Sequence, residues 1–111
     1  MITTHVMDTA RGSAAADMTV ILEMRQVSEW VPIARGTTDE QGWLKTLTEG
    51  RPLAPGTYSL TFDIGTYQRD QGLSKPFFPE ARITFNIRDT DDNYHLPLLL
   101  NPFGYSTYRG S

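Results

Sequence analysis

Strict alternation of apolar and polar residues constrains this chain more than any other feature of its sequence. In TYSLTFDIG, Tyr58, Leu60, Phe62 and Ile64 fall on one face, and Thr57, Ser59, Thr61 and Asp63 on the other. In ARITFNIRD, Ala81, Ile83, Phe85 and Ile87 oppose Arg82, Thr84, Asn86 and Arg88. In TVILEMRQ, Val20, Leu22 and Met24 oppose Thr19, Ile21, Glu23 and Arg25. Successive side chains of an extended strand point to opposite faces, so each run reads as a half-buried strand of an antiparallel sheet. Residues 2–8, 30–35, 43–47, 93–100 and 104–109 are weaker strand candidates. ARGSAAAD, TTDEQG and RPLAPG supply the turns between them. TYQRDQGLS (66–74) lacks the alternation and predicts a short helix with Gly72 near its end. KPFFPE then re-enters a strand between Pro76 and Pro79. Eight short strands and one helical turn predict an all-β sandwich, and 111 residues without repeat or linker predict a single domain over 1–111.

Several function classes fall away on composition. The chain has no cysteine, which excludes disulfides, thiolate zinc sites and cysteine nucleophiles. Its net charge of −3 argues against nucleic acid as a partner, because phosphate binding wants a basic face. No segment approaches the ~18–20 apolar residues of a membrane-spanning helix. The opening MITTHVMDTA lacks a basic stretch followed by a continuous apolar run. A soluble cytoplasmic protein is the expectation, a precursor with a removed leader the alternative.

The residues able to do chemistry are few. Of the two histidines, His5 shares a strand face with Thr3 and Met7, opposite Ile2, Thr4 and Val6. Polarity does not decide which of those faces is buried. His95 points opposite Tyr94, Leu96, Leu98 and Leu100. Either histidine can be structural; two imidazoles brought together by the fold can instead serve as base and acid near neutral pH. Metal binding is not indicated, because no H-x-H, HExxH or carboxylate ligand spacing is present. Asp89, Asp91 and Asp92 read as a solvated turn; close to His95 they would favour its protonated form. Trp30 reads as a core residue that opens a strand. Trp43, after the DEQG turn, either closes a core edge or lines a pocket and stacks on a planar ring. The tail NPFGYSTYRGS offers hydroxyls at Ser106, Thr107, Tyr108 and Ser111 but no G-x-S-x-G elbow, so it is either a last edge strand or part of a site.

Taken together, these residues carry a resemblance. THVMDTARGSAA, GTYSLTFDIGTY, FFPEARITF and YHLPLLLNPFGYSTYRGS resemble, in order and over essentially the whole chain, the 5-hydroxyisourate hydrolases, the transthyretin-related enzymes of urate degradation. The YRGS ending distinguishes those enzymes from the hormone carrier transthyretin. The resemblance implies a transthyretin-like sandwich of two four-stranded sheets with one short helix. It also implies a homotetramer with its sites at the dimer–dimer interface, and a small planar heterocyclic substrate. The reaction implied is cofactor-free hydrolytic opening of a cyclic amide to 2-oxo-4-hydroxy-4-carboxy-5-ureidoimidazoline. Carried onto this sequence, His5, His95 and Ser111 are the catalytic candidates, and Tyr108 and Arg109 shape the pocket or anchor the tail.

One position departs from the pattern. The family's D-G-R turn reads Gln41-Gly42-Trp43 here, so tryptophan stands where an arginine is usual. Arginine grips an anionic heterocycle through a charged fork; tryptophan offers one N–H and a stacking face. Losing one charge-assisted contact in a partly desolvated pocket costs roughly 1.5–3 kcal/mol, about 10- to 150-fold in an equilibrium. Arg51, in the following proline-rich loop, is a second candidate for the missing cation. One alternative follows from Trp43, the same scaffold opening, closing or rearranging another small heterocycle in a biosynthetic pathway; the resemblance to transthyretin suggests another, a non-catalytic ligand-binding module.

Overall fold

The three strongly alternating runs lie side by side in one sheet. A computed structural model of the chain describes residues 1–110. In it, β3 (Thr19–Gln26), β6 (Gly56–Phe62) and β7 (Ala81–Ile87) are adjacent antiparallel strands, and β4 (Glu29–Thr37) extends them in the order β4-β3-β6-β7. The second sheet is built around β1 (Ile2–Asp8), which pairs in parallel with β8 (Tyr94–Asn101); β9 (Gly104–Thr107) follows β8 as a hairpin. Two short strands, β2 (Ser13–Ala14) and β5 (Trp43–Leu44), share the other edge of β1. The first pairs with Met7 and Asp8, the second with Thr4 and His5. Five strands therefore occupy four lanes, a refinement of the two four-stranded sheets implied by sequence.

The core lies between the sheets. Val20, Leu22, Leu60, Phe62, Val6 and Leu98 are fully buried. Ile2, Thr4, Val6 and Asp8 of β1 all face inward, which settles the face that polarity left open and turns Thr3, His5 and Met7 outward. Thr4 is tolerated inside because its hydroxyl donates to Leu96 O at 2.6 Å. Asp8 accepts from the Tyr67 hydroxyl at 2.8 Å and from the Ala10 and Arg11 N–H groups, tying the helix to β1.

Several local expectations change. The helix α1 spans Ile64–Asp70 rather than 66–74, because Asp63 caps it by accepting from Thr66 N. Ile64 thus leaves the strand face that alternation gave it. Gly72, at φ 98°, turns the chain out of the helix. KPFFPE forms no strand; β7 begins only at Ala81, after Pro79 O has accepted from Gly65 N at 2.8 Å. Trp30 is not core. It sits half-buried on the edge strand β4, with the guanidiniums of Arg25 and Arg82 at 5.3 and 4.7 Å from its ring. Ser59, on the polar face of β6, is nevertheless fully buried, because the Arg82–Glu23 ion pair bridges β7 and β3 diagonally across it.

Candidate active site

The parallel pairing of β1 with β8 brings together the two histidines that are far apart in sequence. Thr3 stands opposite His95, and His5 opposite Pro97, so both imidazoles rise from the outer face of the same sheet. On the other side of β1, Trp43 stands opposite His5. Its indole meets both imidazoles: the His5 ring centroid is 4.6 Å away at 30°, and the His95 centroid 5.1 Å away at 24°. Trp43 therefore lines the site rather than closing a core edge.

Hydrogen bonds orient the two rings differently. His5 Nε2 lies 2.8 Å from Gln41 O. A carbonyl can only accept, so Nε2 carries a proton and Nδ1 is the nitrogen left for exchange. His95 Nδ1 lies 2.9 Å from Thr3 Oγ1, which leaves Nε2 for a ligand. His95 is held below the ordinary histidine value near 6.5. Burial is the main cause; the like charge of His5 adds to it, contact with Thr3 opposes it, and Lys45 adds a further depression. The acidic run plays no part in this balance. Asp89 accepts from Asp91 N and Asp92 pairs with Arg109, and neither enters the balance at His95.

Two glycines frame these rings. Gly42 adopts φ 81°, and a Cβ there would sit 2.5 Å from Val6 O and 3.3 Å from His5 Cδ2. Both the backbone twist and the contact demand glycine. Gly110 closes on the other ring: its N–H donates to His95 O at 2.7 Å, and a Cβ would lie 2.6 Å from His95 Cδ2. The glycines of QGW and RGS thus let backbone press against the edges of His5 and His95. Chain spacing alone carries no such signal.

The sequence as a whole matches the HIUase/Transthyretin family over residues 2–110. The chain belongs to that family. The 5-hydroxyisourate hydrolase of Salmonella typhimurium is 39% identical over 111 residues, covering all of this chain and 81% of that protein. Solved structures share the fold as well. Klebsiella pneumoniae 5-hydroxyisourate hydrolase superposes with a TM-score of 0.87 at 35% identity, over 99% of this chain and 97% of that one. Sea bream transthyretin, in complex with thyroxine, gives 0.91 at 29% identity, over 98% and 93%.

Within this HIUase/transthyretin fold, the remaining candidate residues are dispersed. Among the described residues of the tail, Gly110 is bridged to His95. Tyr108 and Arg109 border a cleft of about 230 Å³ between the β7 and β9 edges, with Ile83, Phe85, Tyr94 and Leu96. Arg109 stacks on Tyr94 at 4.6 Å and pairs with Asp92 at 3.1 Å, an anchoring geometry. Arg51 is exposed and borders a separate open cleft with Thr48, Glu49 and Lys45. The cation that reaches Trp43 is Lys45, whose Nζ lies 4.5 Å from the indole centroid. Ser111 lies outside the described residues. Thr3 and Lys45 escaped the sequence reading, although each is two residues from a candidate: Thr3 shares the outer face of β1 with His5, and Lys45 follows Trp43 just past the end of β5.

Proposed function

We propose that this protein is a 5-hydroxyisourate hydrolase of purine degradation. The observation that carries the reading is the convergence of His5 and His95 on one indole, with His95 disposed to be neutral at pH 7. Relatives named as this hydrolase match the chain over its full length, which supports the choice of substrate.

In this reading, the His95 Nδ1–H donates to Thr3 Oγ1 and Nε2 keeps its lone pair. Nε2 takes a proton from water as the water oxygen attacks a ring carbonyl carbon of the substrate. The ring C–N bond breaks, its electron pair goes to nitrogen, and the imidazolium returns the proton there. The product is the ring-opened carboxylic acid, which loses its proton to solvent. His5 Nδ1 and the Trp43 face position the planar ring, and Ser111 is a further polar contact of the family pattern. No step calls for a metal or an organic cofactor. The tail holds Gly110 against His95, with Tyr108 and Arg109 as its anchors.

The enzyme acts in this account as a cytoplasmic homotetramer. The free edges of β7 and β9 suit strand pairing between copies, and the outward face bearing the histidines suits a second pair packed against it. Trp43 favours one second reading, the turnover of another, less anionic heterocycle. A Trp43→Arg variant that gains hydroxyisourate hydrolysis where the natural chain has none decides for that alternative.

The test of the site is His95→Ala. Freshly prepared 5-hydroxyisourate, followed by its ultraviolet absorbance, is expected to decay at the buffer rate with this variant while the fold survives. Undiminished turnover removes His95 from the mechanism.

A further inference from the structure

The positive charge near Trp43 sits two residues along the chain, at Lys45, just past the end of β5. The Lys45 ammonium rests over the indole at 4.5 Å. The side chain is exposed, and among the described residues no carboxylate pairs with it. Two other cations that stack on aromatic rings differ in this respect: Arg82 also grips Glu23, and Arg109 also grips Asp92. The carboxylate of the neighbouring turn, Asp39, is occupied by the Gln41 and Trp43 N–H groups. Glu49 borders the same open cleft as Lys45 without an ion pair to it. Lys45 is also close enough to His95 to disfavour its protonation, together with His5. Three groups able to carry positive charge therefore gather at one indole, in a chain whose net charge is −3.

We propose that Lys45 is the anion-binding residue of this site, holding the negative oxygen of a planar substrate that stacks on Trp43 beside His5 and His95. A cation resting on an exposed aromatic face is weakly held, so the ammonium passes readily from the ring to a ligand oxygen. Its four-carbon stem is flexible and its charge compact. The division of labour differs from that of an arginine. An arginine fork orients and neutralises at once; here the indole orients the ring and the lysine supplies the charge. The inference takes its substrate from the hydrolase reading, but its anion preference stands apart from turnover.

The test measures binding by calorimetry in the natural chain, Lys45→Met and Lys45→Arg. The probes are urate, a planar monoanion, and hypoxanthine, a neutral ring of similar shape. Lys45→Met is expected to weaken urate about 10- to 150-fold and hypoxanthine less than about twofold. Lys45→Arg is expected to restore most of the urate affinity, a rescue that a purely structural role would not give selectively. The proposal is overturned if Lys45→Met binds urate as the natural chain does, if both ligands weaken equally, or if the natural chain does not prefer urate. Urate binding that depends on Lys45, in a protein that leaves 5-hydroxyisourate intact, sinks the reaction and keeps this inference. Turnover with urate binding indifferent to Lys45 does the reverse.

Discussion

Gly110→Ala is the sharpest probe of how the tail serves the site. A methyl at this position would lie 2.6 Å from His95 Cδ2 and 3.4 Å from its Cγ. Carbon atoms pack at about 3.5–4.0 Å, so roughly 1 Å of separation is missing. The Gly110 N–H bond to His95 O, at 2.7 Å, holds the two backbones together, and the imidazole is the part free to swing. Misplacing a reacting group by about 1 Å costs on the order of 100-fold in rate. Stability should fall far less, by ~1 kcal/mol, the low end for overpacking. Gly104→Ala is the matched control in the same hairpin, since its Cβ would meet only the Asn101 side chain, at 3.6 Å. The assay compares kcat/KM on 5-hydroxyisourate with thermal melting. About 100-fold loss is expected in Gly110→Ala and less than about twofold in Gly104→Ala. Full activity in Gly110→Ala, or equal loss in both, refutes the steric argument.

Two further predictions follow from the hydrogen bonds and charges. His95 must be neutral to act as base and is held below its ordinary value near 6.5, so the acidic limb of kcat/KM should lie below that pH. Stability has the same sign: as pH falls from 6.5 towards the depressed value, the unfolded chain takes up the proton first and the fold weakens. An acidic limb above 6.5 contradicts this. Tyr67→Phe removes the donor to Asp8 Oδ2 in a buried network and should cost about 1–3 kcal/mol, a fall of several degrees in Tm, with kcat changed less than about twofold. An unchanged melting temperature would show that Asp8 needs no such partner.

The parts of the fold legible in sequence are those where one face alone decides. Tyr58, Leu60 and Phe62 are buried as their alternation predicts, because β6 lies inside its sheet and has one core face. The reading fails where neighbours decide. Ser59 is buried by an ion pair between two other strands, and Trp30 is drawn outward by two arginines. The helix start at Ile64 depended on one capping carboxylate, which outweighed a strand pattern that continued to that residue. The site was legible as residues and not as geometry. His5 and His95 were candidates by chemistry, but their meeting depends on a parallel pairing between first and penultimate long strands, which no local pattern encodes. Trp43 was singled out as a departure. The cation beside it was sought at Arg51, eight residues on, whereas Lys45, two residues on and just past the end of β5, folds its ammonium back over the indole.

The most direct test of the whole account is the simplest. The natural chain is mixed with freshly made 5-hydroxyisourate and the ultraviolet decay is compared with that in buffer. The account predicts decay well above the buffer rate, saturable in substrate and lost in His95→Ala. Decay no faster than in buffer contradicts it.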